Sequence, residues 1–266
     1  AAIKIHAGID LTVRKNRIND SGAFGSWFDW MTQGTRITQN LYYNNDWQDL
    51  FFEVNHGPYL VDNNLLLSTT SIATQSEGGA FVHNLILGKM TIWSDPGRFT
   101  PYHLPHSTDI AGLSTVVAGD DRYYNNIFVG NNGQTKTEKG EGFGLSAFNI
   151  PDTIPENFPN NHTNLFSRWP VYIDGNVYYS GALPYNREAI FLEKTDFNPQ
   201  ITVLEDGDNV YMQLNSDASM SGLETQLITS GILGITRLPR QHFENPDGTP
   251  ITFDTDYLGN NRTSVH

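Results

Sequence analysis

The sequence predicts an all-β protein: a right-handed parallel β-helix (a solenoid) with additional antiparallel β structure at the C-terminus. Three observations predict it. An asparagine recurs in one context at Asn16, Asn40, Asn64, Asn84, Asn126 and Asn176. An apolar residue stands three places before each one, at Val13, Ile37, Val61, Phe81, Tyr123 and Ile173. Apolar residues also stand one and three places after five of the six, the exception being the first, with Arg17 and Asn19. At 38% hydrophobic content, six apolar residues in six at one offset have a chance of roughly 0.003.

The first two intervals of this ladder are 24 residues, the third is 20, and the last two stretch to 42 and 50. Short alternating runs joined at a recurrent polar corner suit stacked coils, because each coil buries its inward residues only against its neighbours. Stacked asparagines satisfy one another's amides along the axis, which removes the desolvation cost of a buried polar column.

Residues 1–183 read as coils, with long loops at 88–112 and 131–170. The first loop carries Pro101-Tyr102-His103-Leu104-Pro105-His106-Ser107-Thr108. Loops of this length on a rigid scaffold commonly wall a binding groove. Residues 184–266 read as a β-rich region packed on or beside the helix, with alternating runs at Ala189–Glu193, Ile201–Leu204, Val210–Leu214 and Ile228–Ile235.

The ladder also serves as a ruler. Eleven residues before Asn40 stands Asp29, and eleven before Asn64 stands Glu53. Strand alternation then puts Phe28 and Trp30 inside against Phe52 and Val54, and turns Asp29 and Glu53 outward on one face. Adjacent coils lie about 4.8 Å apart. That spacing approaches the roughly 5–5.5 Å of retaining glycosidases and falls short of the roughly 6.5–9.5 Å of inverting ones. Stacked like charges raise one pKa, as a general acid requires. The alternative is a pair of solvated surface carboxylates in a chain with 29 acidic residues.

Other candidates carry weaker signals. Glu77 sits beside Gly78 and Gly79 at a corner, where a turn role is equally in keeping. Asp120-Asp121-Arg122 could hold a sugar hydroxyl or a structural Ca²⁺, or form an internal ion pair. His56, His83, His103 and His106 are too irregularly spaced for a zinc motif, and no metal site is expected.

Cysteine is absent, so disulfides and thiolate sites are excluded, and the net charge of −13 argues against nucleic acid and anionic membranes as partners. No apolar run approaches a membrane span, and no leader-like basic and apolar succession is visible, so the bacterial cytoplasm is the expected location. The sequons at Asn161 and Asn261 read as accidental. The chain starts without Met in a strand-like run, so a missing N-terminal segment, or a homo-oligomer covering that edge, is expected.

Three stretches resemble the catalytic half of glycoside hydrolase family 120: Asp29-Trp30-Met31, Asp49 to Pro58, and Glu77 to Asn84. Pro101–Thr108, Gly119–Arg122 and Phe243–Pro250 are similar too. The resemblance implies retaining β-xylosidase activity on a right-handed parallel β-helix with an associated β-sandwich, in chains longer at the N-terminus. It implies Asp29 as nucleophile and Glu53 as acid/base, with no cofactor required. Trp27, Asn55, His56, Glu77, His103, His106 and Arg122 are the candidate contacts to a xylo-oligosaccharide, the last three on loops closing the groove into a pocket for exo-acting hydrolysis. A β-helical polysaccharide lyase and a non-catalytic carbohydrate-binding or adhesin module are the alternatives.

Overall fold

A computed structural model describes residues 1–131, 140–149 and 168–262. The alternating runs form three stacked sheets, the faces of a parallel β-helix. The first face holds Ile3–His6, Ser26–Asp29, Leu50–Glu53, Thr70–Gln75 and Lys89–Ile92 in parallel, with Glu141–Gly142 antiparallel at its edge. The second holds Thr12–Arg14, Thr35–Thr38, Tyr59–Asp62, Gly79–Val82, Arg122–Tyr124 and Tyr172–Asp174. The third runs from Arg17–Asn19 through Leu41–Tyr43, Leu65–Leu66, Leu85–Ile86 and Ile127–Val129 to Asn176–Tyr179 and Phe191–Lys194.

The asparagine ladder forms the corner between the second and third faces. The residue before each asparagine (Lys15, Gln39, Asn63, His83, Asn125 and Gly175) has a left-handed backbone, with φ from 52° to 74°. This turns the chain and aims the asparagine inward. Asn40 then donates from its backbone N and from Nδ2 to Asn64 Oδ1, both at 3.0 Å, and from Nδ2 to Val13 O at 2.9 Å. The pattern repeats rung by rung until Asn176, whose N and Nδ2 donate to Glu188 Oε1 at 3.1 and 2.8 Å. No polar group of the column is left facing hydrocarbon, so the corner is buried without the usual penalty.

Inside the coils the apolar ladder residues stack. Phe81 lies over Tyr123 at 4.5 Å between ring centroids, and Phe28 over Phe52 at 5.3 Å. Trp30 departs from expectation: the backbone turns at Trp30 and Met31 with positive φ, so Trp30 leaves the strand and is exposed rather than stacked inside.

Three further differences concern the excursions and the C-terminus. The loop at 88–112 includes a last strand of the first face, Lys89–Ile92, and an antiparallel hairpin of Asp95–His103 with Ile110–Val116. The helix also continues past residue 183, because Phe191–Lys194 pairs in parallel with Asn176–Tyr179. Of the later runs, Thr202–Asp206 and Asn209–Gln213 form an antiparallel hairpin, whereas Ile228–Ile235 holds only isolated bridges and the helical turn Ser230–Leu233. Most of the 131–170 excursion, the sequon at Asn161 and Thr263 of the other sequon lie outside the described residues.

The C-terminal segment covers the outer sides of two faces. Val203, Met212 and Leu223 pack on the outward Tyr43, Leu67 and Leu85 of the third. Ile228, Phe243 and Phe253 pack on Leu60, Ala80 and Val82 of the second. The outer side of the first face carries different chemistry.

Candidate functional site

The strands of the first face run in register, so their outward residues form rows across the coils. One row is His6, Asp29, Glu53 and Gln75; the row one pleat away is Lys4, Trp27, Phe51 and Ala73. Asp29 and Glu53 are therefore direct partners on adjacent parallel strands. The row is held by donors on every side. Asp29 Oδ2 accepts from Lys4 Nζ at 3.0 Å and contacts His6 Nε2 at 2.8 Å, while the backbone N of Trp30 donates to Oδ1 at 2.7 Å. Trp27 Nε1 donates to Glu53 Oε2 at 3.0 Å.

Arg98 joins the pair. Its Nη1 donates to Glu53 Oε1 at 2.7 Å, its Nη2 lies 4.0 Å from Asp29 Oδ1, and the guanidinium sits 5.3 Å from the Trp30 ring centroid. One cation thus bridges two carboxylates that would otherwise repel across adjacent coils. Nothing in the sequence pointed to Arg98, because it arrives on the hairpin and belongs to no repeat. His6 lies one residue off the ruler: eleven before Asn16 is Ile5. Gln75 is two off, since eleven before Asn84 is Ala73.

Several sequence candidates serve the scaffold instead. Asn55 accepts from Thr32 N at 2.8 Å through Oδ1 and donates to Phe28 O, 27 residues back. Asn40 and Asn64 make the same 27-residue contact, so Asn55 is a corner asparagine, fully buried. His56 and Glu77 are buried and paired, Nδ1 to Oε1 at 2.8 Å. His56 Nε2 reaches Thr100 Oγ1 at 2.8 Å, and Glu77 Oε2 accepts from Val117 N at 3.1 Å. Together they bolt both strands of the hairpin to the coils.

His103 is buried, with Nδ1 at 3.1 Å from Thr108 O and its backbone gripped by Gln33. His106, at the hairpin tip, lies between Asp10 (Nδ1, 3.1 Å) and Glu244 (Nε2, 3.3 Å). Burial lowers the His106 pKa, but the hydrogen bonds and charges of Asp10 and Glu244 outweigh it and raise the pKa above the ordinary histidine value. Arg122 does not close the groove. It is buried on the second face, donating to Leu233 O, Ile235 O and Asp120 Oδ1, the last an internal ion pair. Of the nine candidates, the structure gathers Asp29, Glu53 and Trp27 into one site on the outer side of the first face, where Asp29 is buried beneath its donors and Glu53 and Trp27 are partly exposed. The others anchor the hairpin or the core.

No family model matches the chain, and no curated relative matches it. One solved structure is similar at a TM-score of 0.86 and 39% identity, over 97% of this chain and 40% of that one. It is XylC in complex with xylose. The chain spans well under half the length of XylC. At that coverage, the likeness extends over nearly all of the described chain.

Proposed function

We propose that the chain carries the catalytic pair of a retaining glycoside hydrolase, an exo-acting β-xylosidase on xylo-oligosaccharides of the family 120 type. One observation carries this reading: two carboxylates in direct register on adjacent strands, on the outer side of the first face of a solenoid resembling a structure that holds xylose. Asp29, with both oxygens oriented by Lys4, His6 and the Trp30 amide, attacks the anomeric carbon. Glu53, steadied by the Trp27 indole, protonates the leaving oxygen and then activates the water that releases the sugar. The chemistry needs no cofactor.

The test is a mechanism-based 2-fluoro-xyloside with the full protein. Labelling of Asp29, and loss of aryl β-xyloside turnover in Asp29→Asn, are expected. Retained turnover in that variant would sink the assignment.

A polysaccharide lyase is the second reading, and one observation favours it. Lys4, His6 and Arg98 bring basic groups to the pair. Each is engaged by a carboxylate, which leaves none free as a base. An unsaturated product absorbing in the ultraviolet would decide for the lyase.

A further inference from the structure

Around Trp27 and Phe51, beside the proposed catalytic pair, the first face carries a cluster of aromatic side chains where an outer surface would ordinarily be polar. Phe24, Phe51 and Trp93 stack nearly parallel along the axis, with centroids 4.8 and 5.8 Å apart and planes within 26° and 21°. The small Ala73, next to Phe51 in its row, leaves Trp93 room to fold back over it. Trp47 breaks the pattern. It stands 4.9 Å from Phe24 at 82°, edge-to-face rather than stacked, and it is 54% exposed. On the other two faces, outward apolar side chains lie under the C-terminal segment; Trp47 presents its ring to solvent.

The patch is continuous with the chemistry. Trp27 packs 5.2 Å from Phe24 and donates to Glu53. One pleat, about 6.7 Å, separates the Trp27 row from the carboxylate row. In the proposed reaction the group leaving past Glu53 must lie on the acid's side of the bond. A xylosyl ring lacks an exocyclic CH₂OH and offers flat faces of axial C–H groups, which suit the negative face of an indole.

We infer that Trp47, with Phe24 and Trp93, forms a subsite for the leaving portion of a xylo-oligosaccharide. This inference rests on the xylosidase reading for its ligand. Affinity should therefore rise with chain length beyond the disaccharide.

Calorimetric titration of the full protein in the Asp29→Asn background tests it. Xylotetraose is expected to bind about tenfold more tightly than xylobiose, the scale of one good ring contact. The gain should vanish in Trp47→Ala and persist in Trp47→Tyr, an exposed position where neither change threatens the fold. No gain in the Asp29→Asn protein, no binding of either sugar, or a gain that survives Trp47→Ala would overturn the subsite. Hydrolysis persisting in Asp29→Asn would instead sink the xylosidase reading, and the length dependence would still decide the subsite.

Discussion

Two polar columns run along the axis of this solenoid, and they are built on opposite principles. The asparagine column repeats one residue, lies at a buried corner and satisfies itself: every Oδ1 that accepts is met by the amides of the rung before it. The column of His6, Asp29, Glu53 and Gln75 repeats nothing, faces outward and needs side chains from elsewhere, Lys4 and Arg98 above all, to balance it. A structural column gains from uniformity, because each rung is at once donor and acceptor. The reaction proposed for the second column would need unlike neighbours, since an acid and a nucleophile cannot be the same group in the same surroundings.

The comparison can be broken in three ways, in decreasing order of effect. Glu53→Gln should lower xylobiose turnover by about 10²–10⁴-fold, the span of a lost general acid. It should leave urea unfolding nearly unchanged, because a partly exposed pair such as Arg98 with Glu53 contributes only about 0–1 kcal/mol. Asn64→Ala should do the reverse. It strips the acceptor used by Asn40 and the donors to Ile37 O and Asn84 Oδ1, all buried. A loss of about 2–4 kcal/mol in the same unfolding experiment is expected; a loss no larger than that of Glu53→Gln would erase the distinction.

The smallest effect concerns His106. Both its ring nitrogens face carboxylates, so only the imidazolium, with two N–H groups, satisfies Asp10 and Glu244 together. Its pKa is raised in the fold, so its stabilisation is complete below the ordinary histidine value and fades as pH climbs through the raised one. Thermal unfolding from pH 5 to 9 should show a shallow decline that His106→Gln flattens. An unaltered slope in the variant would remove His106 as its source.

What was legible in the sequence follows from coil length. Asp29 and Glu53 were aligned because each stands eleven residues before its asparagine, and those asparagines are 24 residues apart. The same ruler slipped by one at His6 and by two at Gln75, where corners shorten. Asn55 was legible in principle, since its 27-residue backward bond matches that of the ladder, but that offset shows only once strands are placed. Arg98 was beyond reach, because its position depends on a hairpin held by His56, Glu77 and Gln33 acting at a distance in sequence. Trp30 was misread inward because alternation says nothing about where a strand stops.

The way the ladder ends has a consequence for how such a molecule can vary. An asparagine passes a hydrogen bond onward, so any rung can follow any other, and whole coils can be gained or lost without new chemistry at the seam. Glu188 receives Asn176 on one oxygen and the Tyr178 hydroxyl on the other, and burial raises its pKa. As a carboxylate it has nothing to hand on. The column thus carries a direction, and the point where it stops is written in a single side chain.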